Sequence, residues 1–408
     1  MVLHAVVCYK VRNCQLPTSP YPLFYDIISV LTVFHVLNTV ISFKKKGAPM
    51  MNRTISLSPI PYSFLPLTSI CCLLLTFVIA AVAAPAHVVA AEPVKLIYDT
   101  DIGNDVDDTL ALAVIHALQN RNECELLAVT ITKDNAYAAS MVGILNTFYG
   151  RRDIPIGIVK DGVTRDIGRY NAEVYNTVDE QGNRVFDTPV TPEMYAELPD
   201  AVTVLRKTLA AQPDGSVVVV QVGFSTNLAR LLDTPGDDFS PLTGKELVAK
   251  KVKLLSAMAG AFVERLKDHR EYNIAMDIPS AQKMFAEWPT PIVFSGFEIG
   301  ETIRHPGLSM RNEYNYVPYH PVKIAYHFYL GLENDQATFD LTSALYAVRP
   351  DRGYFTLSEP CDVRFDDAGR TLYQFNPNGK NRFMTVTSDQ IAMVREALCQ
   401  LCSEPPKR

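Results

Sequence analysis

The chain has 408 residues, 48% hydrophobic and 20% charged, a balance that supports a packed interior and excludes an extended disordered protein. Its formal net charge of -6 at pH 7, with no basic run beyond "KKK" at 44–46, excludes an obvious nucleic-acid surface and favours small-molecule chemistry.

In chain order, residues 1–50 carry a first apolar stretch, "IISVLTVFHVLNTVISF", interrupted by His35 and Asn38. Met50 or Met51 followed by Arg53 makes a natural start downstream of it, so 1–50 read as an upstream extension of the reading frame, with an extra membrane segment as the alternative. Residues 51–91 read as a secretory signal peptide. The run "ICCLLLTFVIAAVAA" from Ile70 to Ala84 is uncharged, and Val89 and Ala91 fit a small-residue cleavage rule before Glu92. Cleavage there would export the protein to a periplasm or the extracellular space. An uncleaved anchor is the alternative, because Leu65 to Ser69 extend the run to the ~20 residues of a span.

From residue 93 short apolar strands alternate with helical segments: "VKLIYD", "DDTLALAVIHALQ", "ELLAVTIT", "AYAASMVGILNTFYG" and "IPIGIV". The alternation resumes with "SVVVVQVG", "STNLARLL", "VKLLSAMAG", "SAQKMFAE" and "PIVFSG". Continuous apolar strands separated by helices predict an α/β fold, a Rossmann-like open and mostly parallel sheet flanked by helices. Between the two halves, Asp161 to Asp200 is polar and suits a lid, a subunit contact or a solvated loop. After Pro306 the text is irregular and aromatic, and Tyr354 to Val386 alternates like β-hairpins with "NPNGKNR" as a turn, predicting a small β-rich C-terminal appendage. Residues 92–408 therefore read as one α/β domain with this appendage. Its cysteines are Cys124, Cys361, Cys399 and Cys402; "CQLC" closes a helix-like segment, which suits a local disulfide or simple packing better than redox catalysis.

The densest chemistry lies in "IYDTDIGNDVDD", where Asp99, Asp101, Asp105, Asp107 and Asp108 crowd the end of the first strand. Ligands of open parallel sheets bind at such strand ends. Mutual repulsion would raise these carboxyls or destabilise the fold unless a hard divalent cation, Ca²⁺ or Mg²⁺, balances them. An EF-hand is excluded, because counting from Asp99 or Asp101 finds no glycine at the sixth position and a strand precedes the loop. A Mg²⁺-dependent haloacid-dehalogenase-type phosphatase, with Asp99 as nucleophile, is an alternative, although Gly103 stands where that family expects threonine. Asp107 and Asp108 also suit the first turn of a helix.

The pattern Asp99-Thr100-Asp101-x-Gly103-x-Asp105-x-Asp107-Asp108 resembles the N-terminal fingerprint of the inosine-uridine-preferring nucleoside hydrolases, with two extra residues between Gly103 and the Asp-Asp pair. The resemblance continues through "VTITKDN", "VGFSTNLARLL", "LLSAMAGAF", "EYNIAMDIPSA" and "FDLTSALYAV", in the family's order. It implies hydrolysis of a ribonucleoside to free base and ribose by a Ca²⁺-bound water, with Asp101 as the base. It further implies Asp101, Asp108, the Val222 carbonyl and Asp340 as Ca²⁺ ligands. Asp107, Asn135 (or Asp134 in the other register of "KDN"), Met258, Glu271 and Asn273 would bind the sugar, Asp99 would support them, and the assembly would be a dimer or tetramer. Asp105 receives no role. Taken singly, Asn227 and Asn273 also suit turns or caps, Glu271 a solvated loop and Met258 core filling. Two departures bear on the substrate. Phe339 replaces the His that many members place before the last Asp ligand, which leaves stacking by Phe339 or a donor such as His269 for the leaving base. Arg265 stands where a sugar-binding Asn is common. A secreted Ca²⁺-dependent nucleoside- or sugar-binding protein without turnover is the non-enzymatic alternative.

Overall fold

The computed structural model describes residues 92–407, so the upstream extension, the signal peptide and its cleavage point lie outside the described residues. The first half runs β1 (Val94–Thr100), α1 (Asp107–Asn120), β2 (Cys124–Ile131), α2 (Ala136–Phe148), β3 (Ile156–Ile158), α3 (Asn171–Tyr175) and α4 (Ala201–Ala210). It continues with β4 (Val217–Gln221), α5 (Thr226–Leu232), α6 (Gly244–Lys251), β5 (Val252–Met258), α7 (Tyr272–Met276), α8 (Ile278–Glu287) and β6 (Ile292–Ser295). The last third holds α9 (Phe297–Thr302), β7 (Arg304–His305), α10 (Gly307–Asn312), α11 (Pro321–Leu330), β8 (Gln336–Ala337) and α12 (Phe339–Val348). It ends with β9 (Thr356–Leu357), β10 (Cys361–Phe365), β11 (Thr371–Phe375), β12 (Asn381–Thr385) and α13 (Ser388–Cys402).

The strands are where β-branched runs can be covered on both faces. β4 is Val-Val-Val-Val-Gln and is buried throughout. In β1, Leu96 and Tyr98 enter one core while Ile97 enters the other, as a strand's alternation requires. The sheet order is β11-β10-β12-β6-β5-β4-β1-β2-β3, with β9 beside β12. Strands β12, β6, β5, β4, β1, β2 and β3 are parallel, so the sequence-based expectation of a mostly parallel sheet flanked by helices holds. The chain winds outward from β1 to β3 and then returns to β4 on the other side of β1. That reversal opens a crevice at the carboxyl ends of β1 and β4.

The β-rich C-terminal segment is present and joins the same sheet. β10 and β11 form an antiparallel hairpin, but after "NPNG" the chain passes to the far side of β10 and β12 pairs parallel with β6. The stretch after Pro306 is less irregular than its composition suggests, because "YHFYL" lies on α11. His320 caps that helix by accepting from Val322 N, and Pro321 opens it, a position where its missing N–H costs nothing. Cys124, Cys361, Cys399 and Cys402 are free thiols, so of the two readings of "CQLC" the structure has packing, with Cys402 buried against α1.

Candidate active site

β1 delivers Asp99 and Thr100 to the crevice, and the chain then turns through Asp101-Ile102-Gly103. Gly103 has φ +121°, a conformation that L side chains rarely adopt, and a Cβ there would collide with the Asn171 amide. Asn171 Nδ2 donates to Ile102 O (2.9 Å) and Arg169 N donates to Gly103 O (3.0 Å), so the segment around 166–171 lies directly on this turn. Part of the polar stretch expected as a lid or solvated loop is thus an ordered cover.

Below the turn the carboxylates converge. Asp105, Asp107 and Asp108 each offer an oxygen within 4.8 Å of the others. The first turn of α12 brings Asp340, whose backbone N donates to Asp107 Oδ2 (3.1 Å). Thr100 Oγ1 binds Asp108 Oδ1, and Asn104 Nδ2 binds Asp101 Oδ2. Burial, then the neighbouring Asp105 charge, pushes Asp101 up to about 8. Burial raises Asp105, and burial followed by carboxylate repulsion raises Asp107, Asp108 and Asp340 well above the ordinary range. Asp107 Oδ1 and Asp108 Oδ2 are buried without a hydrogen-bond partner. Orphaned oxygens in an all-oxygen donor set fit a hard divalent cation, which would offset both the burial and the mutual repulsion of these acids.

Above the cluster lies a cavity of about 360 Å³. Asp101, Asp105, Asp340 and Val222 face it from the sheet side, and Met258, at the end of β5, joins them. The Val222 carbonyl accepts from Asn273 Nδ2 (2.8 Å), which leaves a second lone pair for another ligand. Glu271 caps α7, accepting from Asn273 N (2.8 Å), Ile274 N (3.3 Å) and Gly260 N (3.3 Å). It is only 2% exposed and its carboxyl is pushed by burial up to about 7, so it is no solvated loop charge. Phe297 and Phe339 stack at 5.1 Å on another wall, and Arg169 lies over the Tyr329 ring, 5.4 Å from its centroid.

Several expected residues stand elsewhere. Asn135 does not line the cavity; it caps α2 by accepting from Tyr137 N (2.9 Å) and donates to Asp166 O (2.9 Å). Asp134 is likewise engaged, by Tyr195 Oη (2.8 Å) and Gly162 N (3.1 Å). Asp107 and Asp108 lie beneath the cavity rather than on its wall. His269 stands behind Phe297, ring centroids 4.2 Å apart, and does not reach the cavity. Arg265 pairs with Glu301 at 2.5 Å, away from the cavity. Asp99 is fully enclosed, held by Thr130 Oγ1 (2.5 Å) and Asn227 Nδ2 (2.9 Å), and burial lifts it to about 7. That position suits support and does not suit the attacking nucleophile of the phosphatase alternative.

Asp105, left without a role by the family pattern, joins the acidic cluster, and other residues at the site were not singled out in the sequence. Asn104 touches Asp101, and fully buried Lys133 donates to Asn104 Oδ1 (2.6 Å) and Asp166 Oδ1 (2.7 Å). Arg169 and Tyr329 line the cavity. The signal available for Lys133 was its place: a charge immediately beyond a buried strand, at the functional end of the sheet.

The family model described as inosine-uridine preferring nucleoside hydrolase matches residues 96–395. No curated protein matches the chain in sequence. Among solved structures, the chain is similar to a plant nucleoside hydrolase, PpNRh1 (19% identity, TM-score 0.55, covering 77% of this chain and 100% of that one). It is also similar to a purine-preferring ribonucleoside hydrolase from Gardnerella vaginalis (17%, TM-score 0.57, 76% and 99%). A third similar structure is the type III effector protein XopQ complexed with adenosine diphosphate ribose (15%, TM-score 0.53, 77% and 94%). At these identities the structural likeness establishes a shared fold.

Proposed function

The chain belongs to the inosine-uridine preferring nucleoside hydrolase family, and from that premise we propose that it cleaves the N-glycosidic bond of a ribonucleoside with Ca²⁺ as cofactor and Asp101 as general base. The observation that carries this reading is the buried acidic cluster at the switch point of the sheet, opening into a cavity whose lining also includes Glu271 and Asn273. Asp101, Asp108, Asp340 and the Val222 carbonyl would hold the ion. The chemistry an ion held by these groups would supply is Lewis-acid activation of a water for attack on the sugar.

The protein's own groups account for the rest. Asp101, on the cavity wall and ionised only with a cation beside it to offset its burial and the Asp105 charge, is placed to take the proton from the attacking water. Asp105, Asp340 and Glu271 place negative charge around the sugar, where the oxocarbenium-like transition state gains positive charge. Glu271, Asn273 and Met258 set the sugar's orientation, while Asp107 and Asp99 support the cluster from below. Phe339, backed by Phe297, offers the leaving base an aromatic face in place of a proton donor. For the remainder of the chain we infer export through the signal peptide at 51–91 and assembly as a dimer or tetramer.

The test is release of free ribose from a panel of nucleosides by the purified full-length protein, with calcium and with chelator. Calcium-dependent release is expected. Release that survives complete chelation would remove the metal from the reading, and retained calcium with no release from any nucleoside would favour a binding protein.

A further inference from the structure

Lys133 is a fully buried cation beside the acidic cluster, and the mechanism above makes no use of it. Its backbone is fixed on both sides: Thr132 N donates to Thr100 O (2.8 Å) and Asp134 N to Thr164 O (3.0 Å). From that fixed root the ammonium reaches two acceptors. One is Asn104 Oδ1 (2.6 Å), whose own amide nitrogen holds Asp101 Oδ2. The other is Asp166 Oδ1 (2.7 Å) on the cover, three residues before Arg169 on the cavity wall. Asn104 lies in the lengthened stretch between Gly103 and the Asp107-Asp108 pair, so this connection runs through the part of the fingerprint where this chain departs from the family pattern.

We propose that Lys133 is a positioning residue with two separable arms, fixing the Asp101 carboxylate through Asn104 and fastening the cover over the bound sugar through Asp166. The inference rests on the hydrolase reading. A desolvated ammonium holds acceptors more rigidly than an exposed one, because no water competes for its protons. Asn104 accepts from Lys133 with one amide atom and donates to Asp101 with the other. A fixed ammonium therefore fixes the direction from which Asp101 Oδ2 is held. On the cover side, Asp166 Oδ1 also accepts from Gly168 N (3.0 Å), so the ion pair sets the turn that leads into Arg169.

Steady-state ribose release by the full-length protein in calcium, measured beside thermal unfolding, tests the two arms. Asn104→Ala is expected to lower kcat by about 100-fold with KM within about threefold, the loss that a small misplacement of a reacting group produces. Asp166→Ala is expected to raise KM about tenfold with kcat nearly retained, as removal of uniform binding does. Lys133→Met is expected to show both changes; if it does not fold, the single-arm variants carry the test alone. A merely structural pin would instead lower the unfolding temperature and the active fraction in each variant with KM unchanged. That pattern, or kinetics like those of the wild type, overturns the proposal while the hydrolase reading stands. No turnover by the wild type removes that reading and this inference with it.

Discussion

Truncating Asp101 removes both a cavity-facing oxygen and the group placed to receive a proton. Asp101→Ala is expected to lower kcat by about 10²–10⁴, and a ribose-release rate within tenfold of wild type would exclude it as the base. Glu271 gives a prediction with a sign. Its folded-state value of about 7 lies above the ordinary 4.5 because of burial. Below pH 4.5 both folded and unfolded forms are protonated and no penalty arises. As pH rises through 7 the folded protein must ionise a buried acid, at a cost of about 3 kcal/mol. In chelator, the unfolding temperature of the wild type should therefore fall between pH 5 and 8, and that of Glu271→Gln should fall less. Parallel falls would assign the pH dependence to other groups. Asp101 was readable because it belongs to a run of acids too crowded to stand without a cation, whereas Asp340 and Glu271 were legible only through the family pattern. The individual role of Asp105 and the presence of Lys133 at the site were not readable, because they depend on how the chain turns through 103–106 and on which loop lies over it.

β1 and β4 meet at the switch point with almost no space between their ends. Gly223, just beyond β4, leaves room for the backbone of its neighbour, since a Cβ there would lie 2.6 Å from Asp101 N and 2.7 Å from Thr100 C. Gly223→Ala must push the two strand ends apart, an overpacking cost of about 1–3 kcal/mol. It should lower the denaturant midpoint and weaken calcium binding together; a stable variant with unchanged affinity would show that the ends can separate freely. The elements themselves were largely written in the sequence, because strands covered on both faces must be runs such as "VVVV" and several of the helices between them open on a capping side chain, as at Asn135, Asp200 and Thr243. The exceptions have a common cause. "YHFYL" hides its helix behind aromatic residues that also suit strands and loops, and its His320–Pro321 start is not among the commonest caps. The partner of β12 could not be read, because a parallel pairing with β6 joins strands some 90 residues apart, beyond the reach of any local pattern.

A cation bound at the acidic cluster would couple the whole molecule's stability to that ion. A cation that binds the folded chain and not the unfolded one adds about 2.7 kcal/mol at a hundred times its Kd, so the unfolding temperature is expected to rise with calcium and fall with chelator. Insensitivity to both would argue that the cluster is satisfied by protons alone. The sheet's overall plan was foreseeable from the strand–helix alternation, whereas the contact that completes the cluster was foreseeable only through the family pattern, since Asp340 meets Asp107 across 233 residues. That separation also orders events in time. A ribosome adding about 5–20 residues per second makes the first aspartates on the order of 10 to 50 s before the last. The nascent chain therefore carries an incomplete cradle with little hold on a metal, and full affinity comes only when α12 docks. A cation held there would be a late arrival, and its capture would mark the end of folding rather than guide its beginning.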